Sequence, residues 1–339
     1  MAFFLSSLLS NDIGIDLGTA NTLVYVKGQN IVVDEPSVVA LERSTRKPLA
    51  IGTEAKEMMG RQNPDIEVVR PLRDGVIADF DVTEEMLRHF IKKVQKNKLL
   101  VRPRIVICVP SGVTPVEMRA VRESAERAGA REVYLIKEPM AAAIGIGLPV
   151  EEAVGSMVID IGGGTTEIAV IALSGIVTWR SVKTAGDELN EAIVTFLKRK
   201  HNLLVGERSA EQIKCEIGSA GALESEIQHP CRGLDMVMSI PKTIIVDSME
   251  IRDALGEAVD TIIDAVRQTL EQTPPELAAD ILDRGIIMTG GGALLRGLDR
   301  RLVEETSLPV IVADDPLTCV VRGTGRVLEN IAQYQKVLM

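Results

Sequence analysis

The sequence predicts an α/β fold built as two related lobes with a cleft between them, and three observations carry that prediction. Short β-type runs alternate with amphipathic helical stretches along the chain. Two segments, IDLGTANT (residues 15–22) and IDIGGGTT (159–166), share one plan: an apolar strand, an aspartate near its end, then a turn of glycine, threonine and small residues. The length, 339 residues, is about two domains' worth of chain. A duplicated unit suggests a pocket where the halves meet.

Strand patterns run over 13–17, 22–26, 105–109, 133–136, 157–161, 168–173, 285–288 and 309–312. Each Gly/Thr turn is flanked by two of them, so each turn reads as the tip of a β-hairpin. A helix is predicted over 83–96, with Thr83 at its start, Glu84 and Glu85 following, and Met86, Leu87, Phe90, Ile91 and Val94 on one face. A longer one fills 249–270, where Ile251, Leu255, Val259, Ile262, Ile263, Val266 and Leu270 recur at a period of ~3.6 until Pro274-Pro275 stops it. Periodicity weakens over 61–75 and 223–241, which read as parts of smaller inserted subdomains.

Composition excludes several classes. The 48 acidic against 38 basic residues give a net charge of −10, the wrong sign for a protein that neutralises nucleic-acid phosphates. Aromatics, at 3%, are too few for a base-stacking platform. Cys108, Cys215, Cys231 and Cys319 are scattered, and His89, His201 and His229 show no ligand spacing. No structural zinc site is expected, and the thiols read as reduced and intracellular. No apolar run approaches the ~20 residues of a membrane-spanning helix. The apolar start, MAFFLSSLL, lacks the basic region of a signal peptide.

A Gly/Thr hairpin tip turns several backbone N–H groups toward one point and makes an anion nest. Thr19, Asn21, Thr22, Thr165 and Thr166 add side-chain donors. Asp16 and Asp160, one before each tip, set carboxylates beside that anion, which makes sense with a hydrated Mg²⁺ next to a phosphate chain. Either tip alone is also an ordinary polar hairpin; the matched pair argues for a ligand. A third glycine cluster, TGGGALLRGL (289–298), follows a strand and is expected to open a helix that a ligand can approach closely. The chain has no G-x-x-x-x-G-K-[ST], and Leu295 breaks a G-x-G-x-x-G at this cluster, so neither a P-loop nor a Rossmann site is expected.

These residues carry a resemblance. IDLGTANT resembles the first phosphate motif of the actin, Hsp70 and sugar-kinase superfamily, DIGGGTTE (160–167) its second and TGGGALLRGL its adenosine motif. CVPSGVTPVEMRAV (108–121) leading to KEPMAAAIG (137–145) resembles the first connection between the lobes, and TCVVRGTGRVLE (318–329) the second. With DEPSVVAL (34–41), RPLRDGVIADF (70–80) and TPPELAADI (273–281), nearly the whole chain is similar to the MreB family of bacterial actin homologues.

The resemblance implies an actin-like, ribonuclease H-like duplicated ATPase fold. Its subdomains would be IA (11–32, 78–146 and 317–339), IB (33–77), IIA (147–182 and 247–316) and IIB (183–246). It implies ATP or ADP with Mg²⁺ in the cleft, and slow hydrolysis as an assembly switch. Filaments, double and antiparallel, would lie on the inner face of the cell membrane and set rod shape, with MreC, MreD, RodZ and cell-wall elongation enzymes as partners. Carried over by position, Asp16, Gly18, Thr19, Ala20, Asn21, Gly162, Gly163, Gly164 and Gly186 surround the phosphates. Asp16 and Asp160 hold Mg²⁺ through its waters, and Glu138 orients the attacking water with Thr165. Glu211 and Lys214 flank adenine and ribose; Gly290, Gly291, Gly292 and Ala293 close the other side. A solvated helix face is the alternative for Glu211 and Lys214. Val116 falls at the family's protofilament contact, with a partly buried helix position as the alternative.

Two departures bear on turnover. Lys137 stands where the family usually has an acidic residue, and a cation close to Glu138 would lower that carboxyl's pKa. Met118 replaces a family arginine. For the membrane there are two expected anchors. One is the tail 1–10, where Phe4, Leu5, Leu8 and Leu9 share a helical face and Phe3 adds an aromatic. The other is KKVQKNKLLVRPR (92–104), which sets Leu99, Leu100 and Val101 among basic residues suited to an anionic bilayer. The alternatives are a disordered tail and a plain loop. A sugar kinase or an Hsp70-like chaperone ATPase of the same superfamily is the rival function. Glu138 in place of a kinase aspartate, and only fourteen residues after Gly325, argue against them.

Overall fold

In the computed structural model, which describes residues 12–95 and 102–339, the alternating runs of the sequence become two five-stranded sheets of one topology. Strands β1 (Ile13–Leu17), β2 (Asn21–Val26) and β3 (Asn30–Pro36) form an antiparallel meander. A small sheet of β4 (Val39–Glu42), β5 (Pro48–Ile51) and β6 (Ile66–Val69) follows, with α1 (Thr53–Met58) against it, and then the short hairpin of β7 (Leu72–Arg73) and β8 (Val76–Ile77). Helix α2 (Phe80–Val94) precedes β9 (Arg104–Val109), and α3 (Pro115–Arg127) precedes β10 (Glu132–Lys137). Both strands add in parallel on the open side of β1, giving the order β10-β9-β1-β2-β3.

Helix α4 (Glu138–Ile146) carries the chain into the second lobe, where β11 (Ser156–Ile161), β12 (Thr166–Ala172) and β13 (Gly175–Val182) repeat the meander. After α5 (Gly186–His201), β14 (Leu203–Leu204) and α6 (Glu207–Ile217), strands β15 (Gln228–Asp235) and β16 (Pro241–Asp247) join β14 in a small sheet. Helices α7 (Ser248–Glu271) and α8 (Pro275–Arg284) return to β17 (Ile286–Thr289); α9 (Leu298–Thr306) leads to β18 (Val310–Val312). The order is β13-β12-β11-β17-β18, with the same sense at each pairing as in the first sheet. Helix α10 (Cys319–Glu329) crosses back and packs on α4 and β1. No helix among the described residues is long and apolar enough to cross a membrane.

The local reasons are legible in the side chains. Helix α2 starts three residues before Thr83: Asp79 caps it, its Oδ1 accepting from Val82 N at 3.1 Å, while Thr83 is buried one turn in and donates back to Asp79 O. Helix α3 has a full capping box, Thr114 with Glu117, and Pro115 in its first turn. The proline pair that ends α7 also starts α8, with Pro274 at the cap. At the third glycine cluster the expected helix is a 3₁₀ turn, Gly291–Leu294, and the α-helix begins only at Leu298.

Each lobe has its own core. Phe90, Met86 and Leu87 of α2 lie on Ile13, Ile15, Ile105 and Ile107 in the first. Ile251, Leu255, Ile262 and Val266 of α7 lie on Ile159, Ile168 and Met288 in the second. A third core lies between them, where Met140–Ile144 of α4 and Cys319, Val320 and Val327 of α10 fill the gap between Val106 and Ile136 on one side and Val158 and Ala169 on the other. Where α4 and α10 cross, backbone meets backbone. A β-carbon on Gly145 would lie 1.9 Å from Cys319 O, and one on Gly323 would lie 1.8 Å from Ala141 O.

Candidate functional site

Side chains and turns at the C-terminal ends of parallel strands face one space in a fold of this kind. Here those ends carry the motifs: Asp16 on β1, Glu138 just after β10, Asp160 on β11 and Gly290 just after β17. They line a cleft of about 470 Å³ between the lobes, of a size for a small ligand.

The two hairpin tips come from opposite lobes and touch. A β-carbon on Gly163 would stand 2.6 Å from Ala20 Cβ, and one on Gly164 would stand 3.0 Å from Thr19 Cγ2. Each tip is braced from behind. Ser37 Oγ donates to Gly18 O, and Ser37 N to Ala20 O at 2.9 Å. Gly162 N donates to Thr165 O at 2.9 Å, while Gly186 N and Asp187 N, at the start of α5, donate to Gly162 O and Gly163 O. One donor of the Asn21 amide is held by Asp34 at 3.1 Å.

Of the residues singled out from the sequence, Asp16, Gly18, Thr19, Ala20, Asn21, Glu138, Asp160, Gly162, Gly163, Thr165, Gly186, Glu211, Lys214, Gly290, Gly291 and Gly292 all line the cleft. Gly164 lies outside the lining, against Thr19 and Asp74, and Ala293 is buried beyond it. Glu211 and Lys214 therefore face the cleft and do not form a solvated helix face. Lys214 Nζ donates to Gly186 O at 2.8 Å, and burial pulls its pKa down. Val116 is 75% exposed, which removes the partly buried alternative. Phe3, Phe4, Leu5, Leu8, Leu9, Leu99, Leu100 and Val101 fall outside the described residues.

The floor of the cleft is acidic. Burial, then Asp16, push the Asp160 carboxyl up to about 7, against a hydrogen bond from Thr289 at 3.0 Å. Burial pushes Asp16 up to about 6, against the Cys108 thiol, which donates to its Oδ1. Glu138 is raised well above the usual carboxylate range by burial and then by Glu167, Asp160 and Asp16. The expectation about Lys137 is overturned here. Its ammonium lies 5.8 Å from the centre of the Trp179 ring, and it is not among the groups that shift Glu138, all of which raise it. Among the described residues no group of three or more side chains forms a metal cage. Two adjacent carboxylates, Asp16 and Asp160, both raised chiefly by burial, do suit an ion such as Mg²⁺, which keeps most of its waters and needs only one or two carboxylates.

Several lining residues escaped the sequence reading: Asp34, Leu189, Asn190, Cys215, Arg296 and Leu317. Leu189 and Asn190 had a signal, because Gly186 was picked out and they lie one turn further along its helix. Across the cleft mouth the lobes are also clasped. Arg70 reaches Asp187 at 3.1 Å and Glu207 at 2.6 Å, and Lys56 reaches Glu211 at 3.1 Å.

Known proteins share this arrangement. A family model described as MreB/Mbl protein matches residues 10–336. The chain belongs to the MreB/Mbl family. It is 56% identical over 332 residues to the cell shape-determining protein MreB of Escherichia coli K12, covering 96% of each chain. It is 51% identical over 329 residues to the cell shape-determining protein Mbl of Bacillus subtilis 168, covering 97% of this chain and 99% of that one. The fold is actin-like. A crystal structure of MreB5 of Spiroplasma citri bound to ADP superposes with a TM-score of 0.91 at 38% identity, over 96% of this chain and 98% of that one. The AMPPNP-bound form of MreB5 also superposes at 0.91, with 39% identity. The chain is therefore a member of a family of cell shape-determining, actin-like proteins whose solved relatives bind adenine nucleotides in this fold.

Proposed function

We propose that this MreB/Mbl-family chain is an ATP-dependent filament protein. Bound to the inner face of the cell membrane, it organises wall synthesis during elongation, and slow hydrolysis acts as its assembly switch. The observation that carries the nucleotide reading is the contact of two aspartate-bearing tips from opposite lobes above one half-buried glutamate, Glu138. A phosphate chain bridging the tips meets backbone N–H groups from both, so its length and charge set how the lobes sit together.

In this reading Asp16 and Asp160 hold Mg²⁺ through its waters, and the ion, when bound, neutralises charge on the phosphates. Thr165 and Glu138 orient a water at the floor. Burial and the neighbouring carboxylates raise the Glu138 carboxyl well above its usual range, which favours the protonated form over the one that could take a proton from water. Glu138 therefore positions water more than it deprotonates it, which gives a slow turnover and a long-lived ATP state. Glu211, Lys214 and Gly290–Gly292 flank the nucleoside.

The test is sedimentation with ATP and Mg²⁺, with and without anionic liposomes. Micromolar protein that never pellets sinks the filament reading. Glu138→Ala keeps nucleotide binding and slows phosphate release; unchanged release removes Glu138 from its role. Deleting residues 1–9 weakens co-pelleting with liposomes much more than assembly itself, and equal recruitment of the truncated chain shifts the anchor to the segment around Leu99–Val101.

A further inference from the structure

Each cleft aspartate is held by one neutral donor, and the two donors occupy matching places in the duplicated fold. In the parallel pair β11–β17, Asp160 stands opposite Thr289. Thr289 Oγ1 donates to Asp160 Oδ1 at 3.0 Å, nearer than its other acceptor, Ile159 O at 3.3 Å. In the corresponding pair β1–β9, Ile15 stands opposite Ile107. One residue on are Asp16 and Cys108, and the thiol donates to Asp16 Oδ1 at 3.1 Å. Both donors are buried, behind carboxylates that line the cleft.

A buried threonine hydroxyl needs only one acceptor, and the Ile159 carbonyl is within reach. The shorter contact goes instead to a carboxylate at the cleft. A carboxylate free to turn presents its oxygens in many directions, whereas one tied at Oδ1 presents Oδ2 in one. Gly290 tightens this in the second lobe: a β-carbon there would lie 2.6 Å from Asp160 Oδ1, so nothing larger than glycine fits beside the bonded oxygen. A hydrated divalent ion binds through waters that must meet fixed acceptors, and groups that orient its carboxylates tune its affinity. Resting on the Mg²⁺ reading above, we infer that Thr289 and Cys108 are positioning residues for the ion. Each fixes one aspartate, so that both carboxylates present an oxygen to the same shell of waters. The two are unequal, because a thiol is the weaker donor, and Asp160 is the more firmly set.

The test is titration of ADP-loaded protein with Mn²⁺, a paramagnetic stand-in for Mg²⁺, read by electron paramagnetic resonance, beside ADP binding in EDTA. Thr289→Val keeps the shape and loses the donor; it weakens Mn²⁺ roughly tenfold and leaves ADP affinity in EDTA unchanged. Thr289→Ser retains the parent's affinity for Mn²⁺. Cys108→Ala weakens Mn²⁺ roughly two- to threefold, and Cys108→Ser does not weaken it. The two residues lie in different lobes, so each pair stands as a test if a variant of the other fails to fold. Unchanged Mn²⁺ affinity in Thr289→Val or in Cys108→Ala overturns the assignment of that residue. So does a serine variant as weak as its apolar counterpart, or an equal loss of ADP affinity in EDTA, which marks a merely structural role. A parent that binds ADP equally in Mg²⁺ and in EDTA and takes up no Mn²⁺ overturns the Mg²⁺ reading itself, before any variant is made.

Discussion

Ser111 and Glu167 join the two lobes beneath the cleft: the backbone N–H of Ser111, after β9, donates to Glu167 Oε2 on β12 at 2.9 Å, and both residues are buried. The bond fixes a second carboxylate near Glu138, where it is the largest source of charge repulsion on that group. Ser111 Oγ and Glu167 Oε1 are left without partners among the described residues.

Glu167→Gln keeps an acceptor for Ser111 and removes the charge. The Glu138 carboxyl then titrates lower, so it is more often ionised at neutral pH. The acid limb of the pH–rate profile for phosphate release moves to lower pH, and turnover at pH 7 rises. A profile unmoved by the substitution would remove the coupling between the two glutamates.

The clasp at the cleft mouth predicts salt-sensitive nucleotide release. Arg70→Ala frees Asp187 and Glu207 together and speeds release of a fluorescent ATP analogue roughly two- to fivefold at low salt, in line with partly exposed pairs worth ~1 kcal/mol or less. Above ~0.5 M NaCl the parent and variant converge in stopped-flow traces.

Stability without ligand falls as pH rises. Asp16, at about 6, and Asp160, at about 7, hold protons in the folded chain that the unfolded chain has released above about 4. Their contribution is fully present below pH ~4 and is lost as pH climbs through those folded values. Nucleotide- and metal-free protein therefore melts several degrees lower at pH 7.5 than at pH 5.5, and Asp160→Asn flattens that slope in differential scanning fluorimetry.

Much of this architecture can be read from the sequence, and the misses have physical causes. The bounds of β1 follow from an apolar run that ends at a turn, and the two tips follow from a repeated motif, because both signals are local. The start of α2 was misplaced because Asp79, an ordinary cap residue, precedes an exposed Phe80 that lies off the apolar face. Adjacency in sequence places Lys137 beside Glu138, but the chain passes from strand to helix between them, and the two side chains need not point the same way. Arg70 and Asp187 lie more than a hundred residues apart, and no periodicity reports such a pair.

Two glycines predict opposite outcomes for one substitution. Gly145→Ala drives a methyl into the Cys319 carbonyl, backbone that cannot swing aside. It costs about 3 kcal/mol or more, or abolishes folding. Gly256→Ala, mid-way along α7 with open space around it, stabilises by ~0.5–1 kcal/mol. Thermal melts of the pair check both signs.

Val116→Asp tests the exposed start of α3. At 75% exposure its effect on monomer stability stays within ~0.5 kcal/mol. If the face is a contact between copies, sedimentable polymer drops sharply while ATP binding is unchanged. Equal pelleting of the variant would take Val116 out of the interface.

The crossing of α4 and α10 has a mechanical consequence. Two helices in backbone contact have no layer of side chains between them to shear, so the lobes turn about that point and do not slide past one another. A ligand between the tips then sets an angle, not a spacing. In a polymer of such units each angle adds to the next, and a rotation too small to matter in one subunit becomes curvature or twist over hundreds. Under the filament reading proposed above, glycines at the crossing would thus let a small rotation within one subunit act on the shape of a whole polymer.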